Sequence, residues 1–162
     1  MTALASQARL EELARAIVDA NKYMTLATAD DDGSPWATPV FFTPDGYSEL
    51  YWVSSPTARH SRNLASRDTV AIVVFGSHAP IGKAGAVYMR GTADEVPRPE
   101  LPKAAAHYAA RYPDLTYFAP EELRAPAPYR LYRARIAEHS VLIRGDDPEH
   151  GTGTDTRRTV HL

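Results

Sequence analysis

Apolar positions near the start of the chain recur at helical spacing: Leu10, Leu13, Ala14, Ile17 and Val18 fall on one face. Ser6 offers an N-cap, and Glu11 and Glu12 sit in early turns, where negative charge suits the dipole. The pattern predicts an amphipathic helix covering one open end or side of a sheet. From Tyr23 the period falls to two. Tyr23 to Ala29 reads as a strand, Asp30-Asp31-Asp32-Gly33 as a hairpin turn and Pro35 to Thr43 as a second strand. Pro44-Asp45-Gly46 reads as the next turn and Ser48 to Ser54 as a third strand, which together predict an antiparallel meander.

Ala58 to Ser66 reads as a short helix. The β-branched run Thr69 to Phe75 predicts a strand buried on both faces. In a fifth strand, Ala86 to Val96, Gly91 marks a bulge or a close backbone approach. Pro97 to Pro102 interrupts the sheet, and Lys103 to Arg111 reads as a helix with Ala104, His107 and Tyr108 on one face. Tyr112 to Pro128 is an aromatic, proline-rich wrap with a helical turn near Pro120 to Leu123. Tyr129 to Ala137 alternates again, and His139 to Arg144 continues it or adds a last strand. Residues 1–144 therefore predict one domain, and the polar, glycine-bearing stretch 145–162 a mobile tail. With so few crossovers, the element order predicts a small antiparallel β-barrel with flanking helices, not a parallel sheet.

Composition narrows the function. The 162 residues suffice for one real core, and a net charge of -2 argues against non-specific nucleic-acid binding. The chain has no cysteine, which excludes disulfides, thiolate catalysis and cysteine zinc sites. Its six histidines form no spaced pair on one element, so no metal site is expected. The N-terminus lacks signal-peptide character and no stretch has membrane-spanning length, so a cytoplasmic location is expected. Three motif matches fail on inspection. Asp30 to Asp32 lacks EF-hand spacing, Gly82-Lys83 carries Ala84 where a P-loop needs Ser or Thr, and Gly151 and Gly153 lack a strand-to-helix context.

One stretch gathers chemistry. Between two apolar strands lie Ser54, Ser55, Thr57, Arg59, His60, Ser61, Arg62 and Asn63. A helix start presents unpaired N–H groups, and arginine adds forked donors suited to phosphate, so the stretch predicts a phosphate cradle at the lip of the barrel. The competing reading is an exposed helix with solvated charges.

Three segments, "YMTLATADDDGSPWATPVFF", "LYWVSSPTARHSRNLASRDTVAIVVF" and "AVYMRGTADEV", together resemble the pyridoxamine 5′-phosphate oxidase-like, FMN-binding split-barrel superfamily. The resemblance covers Tyr23 to about Val96 well and Tyr129 to Arg144 loosely. It implies a mainly β fold with flanking helices: an antiparallel split β-barrel of Greek-key type. It also implies a homodimer with a flavin in the groove between subunits, and hydride transfer with a small organic substrate. By residue, it places the second-strand positions Thr38, Pro39 and Val40, flanked by Ala37 and Phe41, beside the flavin ring, with backbone N–H groups turned to it. Ser54 and Ser55 would meet the phosphate and ribityl chain, Arg59 and His60 supply the basic pair, and Asn63 assists.

The chain departs from true pyridoxamine phosphate oxidases in several places. Thr38 and Thr43 replace an arginine and a lysine, His60 replaces a lysine, and Ala86 replaces a glutamine. Arg157 to Leu162 does not reproduce the C-terminal arginine-and-histidine motif. The resemblance therefore leaves three other readings: the deazaflavin F420 in the same groove, a flavin-binding dimer without turnover, and a barrel that binds no cofactor. No catalytic side chain is assigned. His78 is placed toward the cleft, and His139 either at the ring edge or exposed on its strand. Trp36, Trp52, Tyr88 and Tyr132 are assigned to core and dimer interface.

Overall fold

The structure, a computed structural model, describes residues 3–162. Helix α1 spans Ala3–Ala20, so Ser6 lies inside it and does not cap it, and Glu11 and Glu12 fall mid-helix. Leu10, Ala14 and Val18 are buried, whereas Leu13 is turned outward. A stripe at spacing four is enough here, because α1 lies along a sheet and is not enclosed.

The strands are β1 (Tyr23–Ala29), β2 (Pro35–Phe41), β3 (Thr43–Asp45), β4 (Glu49–Ser54), β5 (Thr69–Phe75), β6 (Ala86–Glu95), β7 (Arg130–Ile143) and β8 (Thr156–Val160). All pair antiparallel in one curled sheet of order β2-β1-β5-β6-β7-β4-β3, with β8 added beside β7. The expected second strand is therefore two strands, and the expected meander is corrected. β2 pairs with β1 at one edge of the order, and β3 pairs with β4 at the other. Only Phe42 separates β2 from β3, so one bent run touches both edges and draws the sheet toward a barrel. The turn after β3 falls two residues later than expected, at 46–48, with positive φ at Gly46 (54°) and Tyr47 (62°). Tyr47 tolerates this conformation because it is anchored twice. Its hydroxyl donates to Asp19 at 2.8 Å, and its carbonyl meets His139 Nε2 at 2.9 Å.

Met24, Leu26, Phe42, Leu50, Trp52, Val70, Ile72, Val74, Val87 and Met89 form the barrel core. β5 alternates buried and exposed, contrary to the expectation of two buried faces. Double burial belongs instead to β4 and the first half of β7. There a second core, built on Tyr51, Leu131, Leu101, Ala105, Tyr108 and Leu123, is roofed by helix α3 (Leu101–Ala110) and the turn Pro120–Leu123. α3 starts two residues before its predicted start because Pro102 fits the first helical turn, and a short helix α4 (Pro113–Thr116) follows. The stretch 145–162, expected to be mobile, contains β8, which extends the sheet by pairing with β7 from His139↔Val160 to Ile143↔Thr156.

Gly91 fulfils its expected role. The β6–β7 register shifts between Arg90 and Gly91, and a Cβ at Gly91 would lie 1.9 Å from the Arg135 carbonyl oxygen. Gly91→Ala is expected to cost about 3 kcal/mol or more, because only backbone can yield there. A denaturant midpoint that stays within error of wild type would contradict this.

Arg111, just past α3, ties the closure together. Its guanidinium donates to the carbonyls of Phe42 (2.7 Å), Asp19 (3.0 Å) and Asn21 (2.9 Å), and more weakly to Val18 (3.3 Å). It also lies 4.9 Å from the Phe42 ring centroid. One cation thus caps the end of α1 and fixes the bend between β2 and β3. Arg111→Met keeps the aliphatic stem but removes every donor. We expect a loss on the order of 2–4 kcal/mol in equilibrium unfolding, since hydrogen bonds to charged groups each contribute about 1.5–3 kcal/mol.

Candidate functional site

Helix α2 (Arg59–Ser66) connects β4 to β5. β4 ends at Ser54, and a tight turn follows, with Ala58 N–H donating to the Ser55 carbonyl at 3.1 Å. Inside it the Ser55 and Thr57 hydroxyls lie 2.9 Å apart, and Thr57 N–H donates to Ser55 Oγ at 3.2 Å. The N-cap is Ala58, which supplies no side-chain cap. The first helical bond runs from Arg62 N–H to the Ala58 carbonyl, so the N–H groups of Arg59, His60 and Ser61 precede it. Arg62 itself folds back and donates to the Thr57 carbonyl.

The face that α2 turns inward is mostly polar: His60, Ser61 and Asn63 are buried beside Leu64. His60 Nε2 lies 2.6 Å from Ser54 Oγ, and Asn63 Nδ2 donates to Thr28 Oγ1 at 3.0 Å. Ser61 Oγ is buried without a hydrogen-bond partner. Burying a hydroxyl in this way costs free energy that a leucine would not incur. Arg59 points toward the β1–β2 turn. It lies 3.3 Å from Asp30 Oδ2 and 4.7 Å from the centroid of the Trp36 ring. From the far end of α2, Arg67 donates to the Asp31 carbonyl at 3.2 Å.

The structure thus brings Ser54, Ser55, Arg59, His60 and Asn63 to one corner. The three second-strand positions divide differently. Thr38 is half-buried on the same face as Trp36, Val40 enters the core, and Pro39 faces outward in a groove of about 500 Å³ with Tyr23, Phe75 and His78. The bonds from Phe42 N–H to the Lys22 carbonyl and from Asp30 N–H to the Ser34 carbonyl fix the phase of the β1–β2 ladder. The backbone groups of Thr38 and Val40 therefore point at β1, and those of Pro35, Ala37, Pro39 and Phe41 point outward. Two of these four are prolines, so the N–H groups on that edge are those of Ala37 and Phe41. This corrects the expectation of donors at Thr38 to Val40.

His139 is buried, not exposed, and belongs to the Tyr47 contact. Trp52 and Tyr132 stack in the core at 5.7 Å, but Trp36 is 39% exposed beneath Arg59. Thr28, Asp30 and Trp36 are the corner residues that sequence reasoning missed as site members. Thr28 carried a signal, since it follows Met24 and Leu26 in the inward series of β1. Among the described residues there is no cluster of metal-ligating side chains, and no helix is long and apolar enough to cross a membrane.

With the geometry in place, the comparisons identify the class. The sequence profile of the pyridoxamine 5′-phosphate oxidase family matches residues 10–142, and the chain belongs to that family. Its curled antiparallel sheet with flanking helices is the split-barrel fold. Among solved structures it is similar to HutZ, the heme storage protein from Vibrio cholerae, with a TM-score of 0.69, 20% identity and coverage of 87% of this chain and 99% of that one. It is similar to an F420 reductase with a TM-score of 0.57, 23% identity and coverage of 78% and 94%. A heme binding protein from Mycobacterium smegmatis gives a TM-score of 0.65 at 20% identity, covering 98% of this chain and 59% of that one. At these identities the likeness is one of fold. No curated protein sequence matches the chain.

Burial pushes the His60 and His139 imidazoles below their ordinary pKa; at His139 the Tyr47 carbonyl opposes this. Both histidines are therefore neutral in the fold near pH 7. The unfolded chain takes up its protons near pH ~6.5, before the folded chain does. Their contribution to stability is intact above that pH and is lost as pH falls through the lowered folded values. Melting temperature should decline between about pH 7 and pH 5, and His60→Asn with His139→Asn should flatten that slope. Thermal melts across the window check this; an unchanged slope in the double variant would refute it. Asp32, held at about 2 by hydrogen bonds from Ser34, stays ionised throughout and adds no slope there.

Proposed function

We propose that this protein is a flavin-dependent oxidoreductase. It would hold FMN by its phosphate at the α2 corner and exchange hydride with a small organic substrate, as a homodimer with the flavin between subunits. The observation that carries the reading is the inward face of α2. An uncapped first turn, a buried hydroxyl with no partner, His60 on the inward face and Arg59 at the helix start supply donors suited to a phosphoryl group.

In this reading Ser54, Ser55, His60 and Asn63 hold the phosphate end, and Arg59 supplies charge. The Ala37 and Phe41 N–H groups on the open edge of β2 orient the ring, and Pro39 lies against it. When bound, the flavin supplies the hydride chemistry, and the chain supplies orientation and exclusion of water. Exposed Tyr23 and Phe75 flank Pro39 and offer apolar surface for the partner subunit. A second reading places F420 in the same groove. It is supported by the likeness to an F420 reductase and by His60 standing where the family's lysine would be.

Titration of the full chain with FMN, riboflavin and F420 separates these readings. FMN should bind more tightly than riboflavin, which lacks the phosphate. Arg59→Ala combined with His60→Ala should weaken FMN on the order of 10- to 100-fold, from the loss of about 1.5–3 kcal/mol of charged hydrogen bonding. Riboflavin should be little affected. Equal affinity for FMN and riboflavin would move the phosphate elsewhere, and preference for F420 would favour the second reading. Sedimentation of the loaded protein as a monomer would remove the two-subunit groove.

A further inference from the structure

The first cation of the corner is already occupied. Arg59 begins α2, yet its guanidinium reaches the β1–β2 turn, where Asp30 Oδ2 lies at 3.3 Å and the Trp36 ring at 4.7 Å. That carboxylate is held in place. Its other oxygen accepts the Ser34 N–H at 2.9 Å, while Asp30 N–H donates to the Ser34 carbonyl at 3.1 Å and the Asp30 carbonyl accepts from Gly33 at 3.0 Å. A turn closed this way carries Asp30 rigidly. Asp31 is tied to the other end of α2 through Arg67, so the turn is strapped along the helix. Asp32 remains ionised beside it and deepens the negative field.

We infer that Asp30 is an internal counter-ion, competing with an incoming phosphoryl group for Arg59, so that the β1–β2 turn sets how strongly the corner prefers phosphorylated ligands. The inference rests on the phosphate reading of the α2 corner. The physical case is direct. Arg59 and Asp30 are both partly exposed, so their mutual attraction is modest and exchangeable. A phosphoryl group carries more charge than a carboxylate and offers more acceptor oxygens, so it wins Arg59 but must first displace Asp30 or bind within its field. The Trp36 face holds the guanidinium plane during the exchange, because its contact does not depend on which anion Arg59 meets. Asp30 is thus a specificity-determining residue, and its effect on affinity is negative.

The test is Asp30→Asn, which keeps an oxygen for the Ser34 N–H and removes the charge. FMN and riboflavin affinities are measured on the full chain by quenching of flavin fluorescence, at low and at moderate salt. FMN binding should tighten about three- to fivefold at low salt, the range of an exposed ion pair, with a smaller gain at moderate salt. Riboflavin affinity should not change. In an Arg59→Ala background the same substitution should give no gain. The inference is overturned by any of three results: FMN affinity unchanged by Asp30→Asn, riboflavin improving equally, or the gain persisting without Arg59. These are distinct from failure of the cofactor reading, which would show as a folded wild-type chain, by circular dichroism, that binds no FMN. That result would overturn both.

Discussion

Closing this sheet depends on a bend at one residue. The run from Pro35 to Asp45 has to pair with β1 at one end and β4 at the other, so it turns at Phe42. Phe42 is fully buried, its N–H meets the Lys22 carbonyl and its own carbonyl receives Arg111. Thr43, the next residue, donates to the Tyr108 carbonyl at 3.0 Å. The bend is therefore fixed from α1, from β1 and from α3 at once. From it follows the path of the rest. β4 must run antiparallel to β3 and end at Ser54, and α2 must then cross to reach β5 beside β1. That crossing brings Asn63 to Thr28 and Arg59 to Asp30.

Polar burial is handled in two ways in this molecule. At the second core Arg133 is buried but meets Glu100 at 2.7 Å and Glu49 at 3.7 Å, so opposite charges offset its desolvation. On α2 the buried groups are neutral and incompletely partnered. Uncharged, under-satisfied groups stabilise the fold poorly, but they leave capacity for an outside acceptor. Arg133 Nε is itself without a partner, so the contrast is one of charge and not of complete satisfaction.

Much of the fold was legible because its signals are local. β1, β5 and the Pro120–Leu123 turn have their expected bounds, and Gly91 marked the bulge. The bend at Phe42 was not legible, because the apolar run Val40-Phe41-Phe42 carries no turn residue and the partners of its two ends lie on opposite edges. β8 was missed because its arginines and threonines read as polar chain; pairing with β7 is what makes it a strand. At the site, Ser54, Arg59, His60 and Asn63 could be grouped because one short helix and the turn before it carry them. Asp30 could not be grouped with them, since turn chemistry alone explained the aspartates.

The alternation of Pro35 and Pro39 with Ala37 and Phe41 along the outer margin of β2 has a consequence for solubility. A bare strand margin invites a foreign strand to add on, and successive additions lead toward fibres. Here every second position that would have to donate to such a visitor is an imino acid, so the hydrogen-bond ladder fails at its first rungs. The same margin keeps two outward donors, the N–H groups of Ala37 and Phe41.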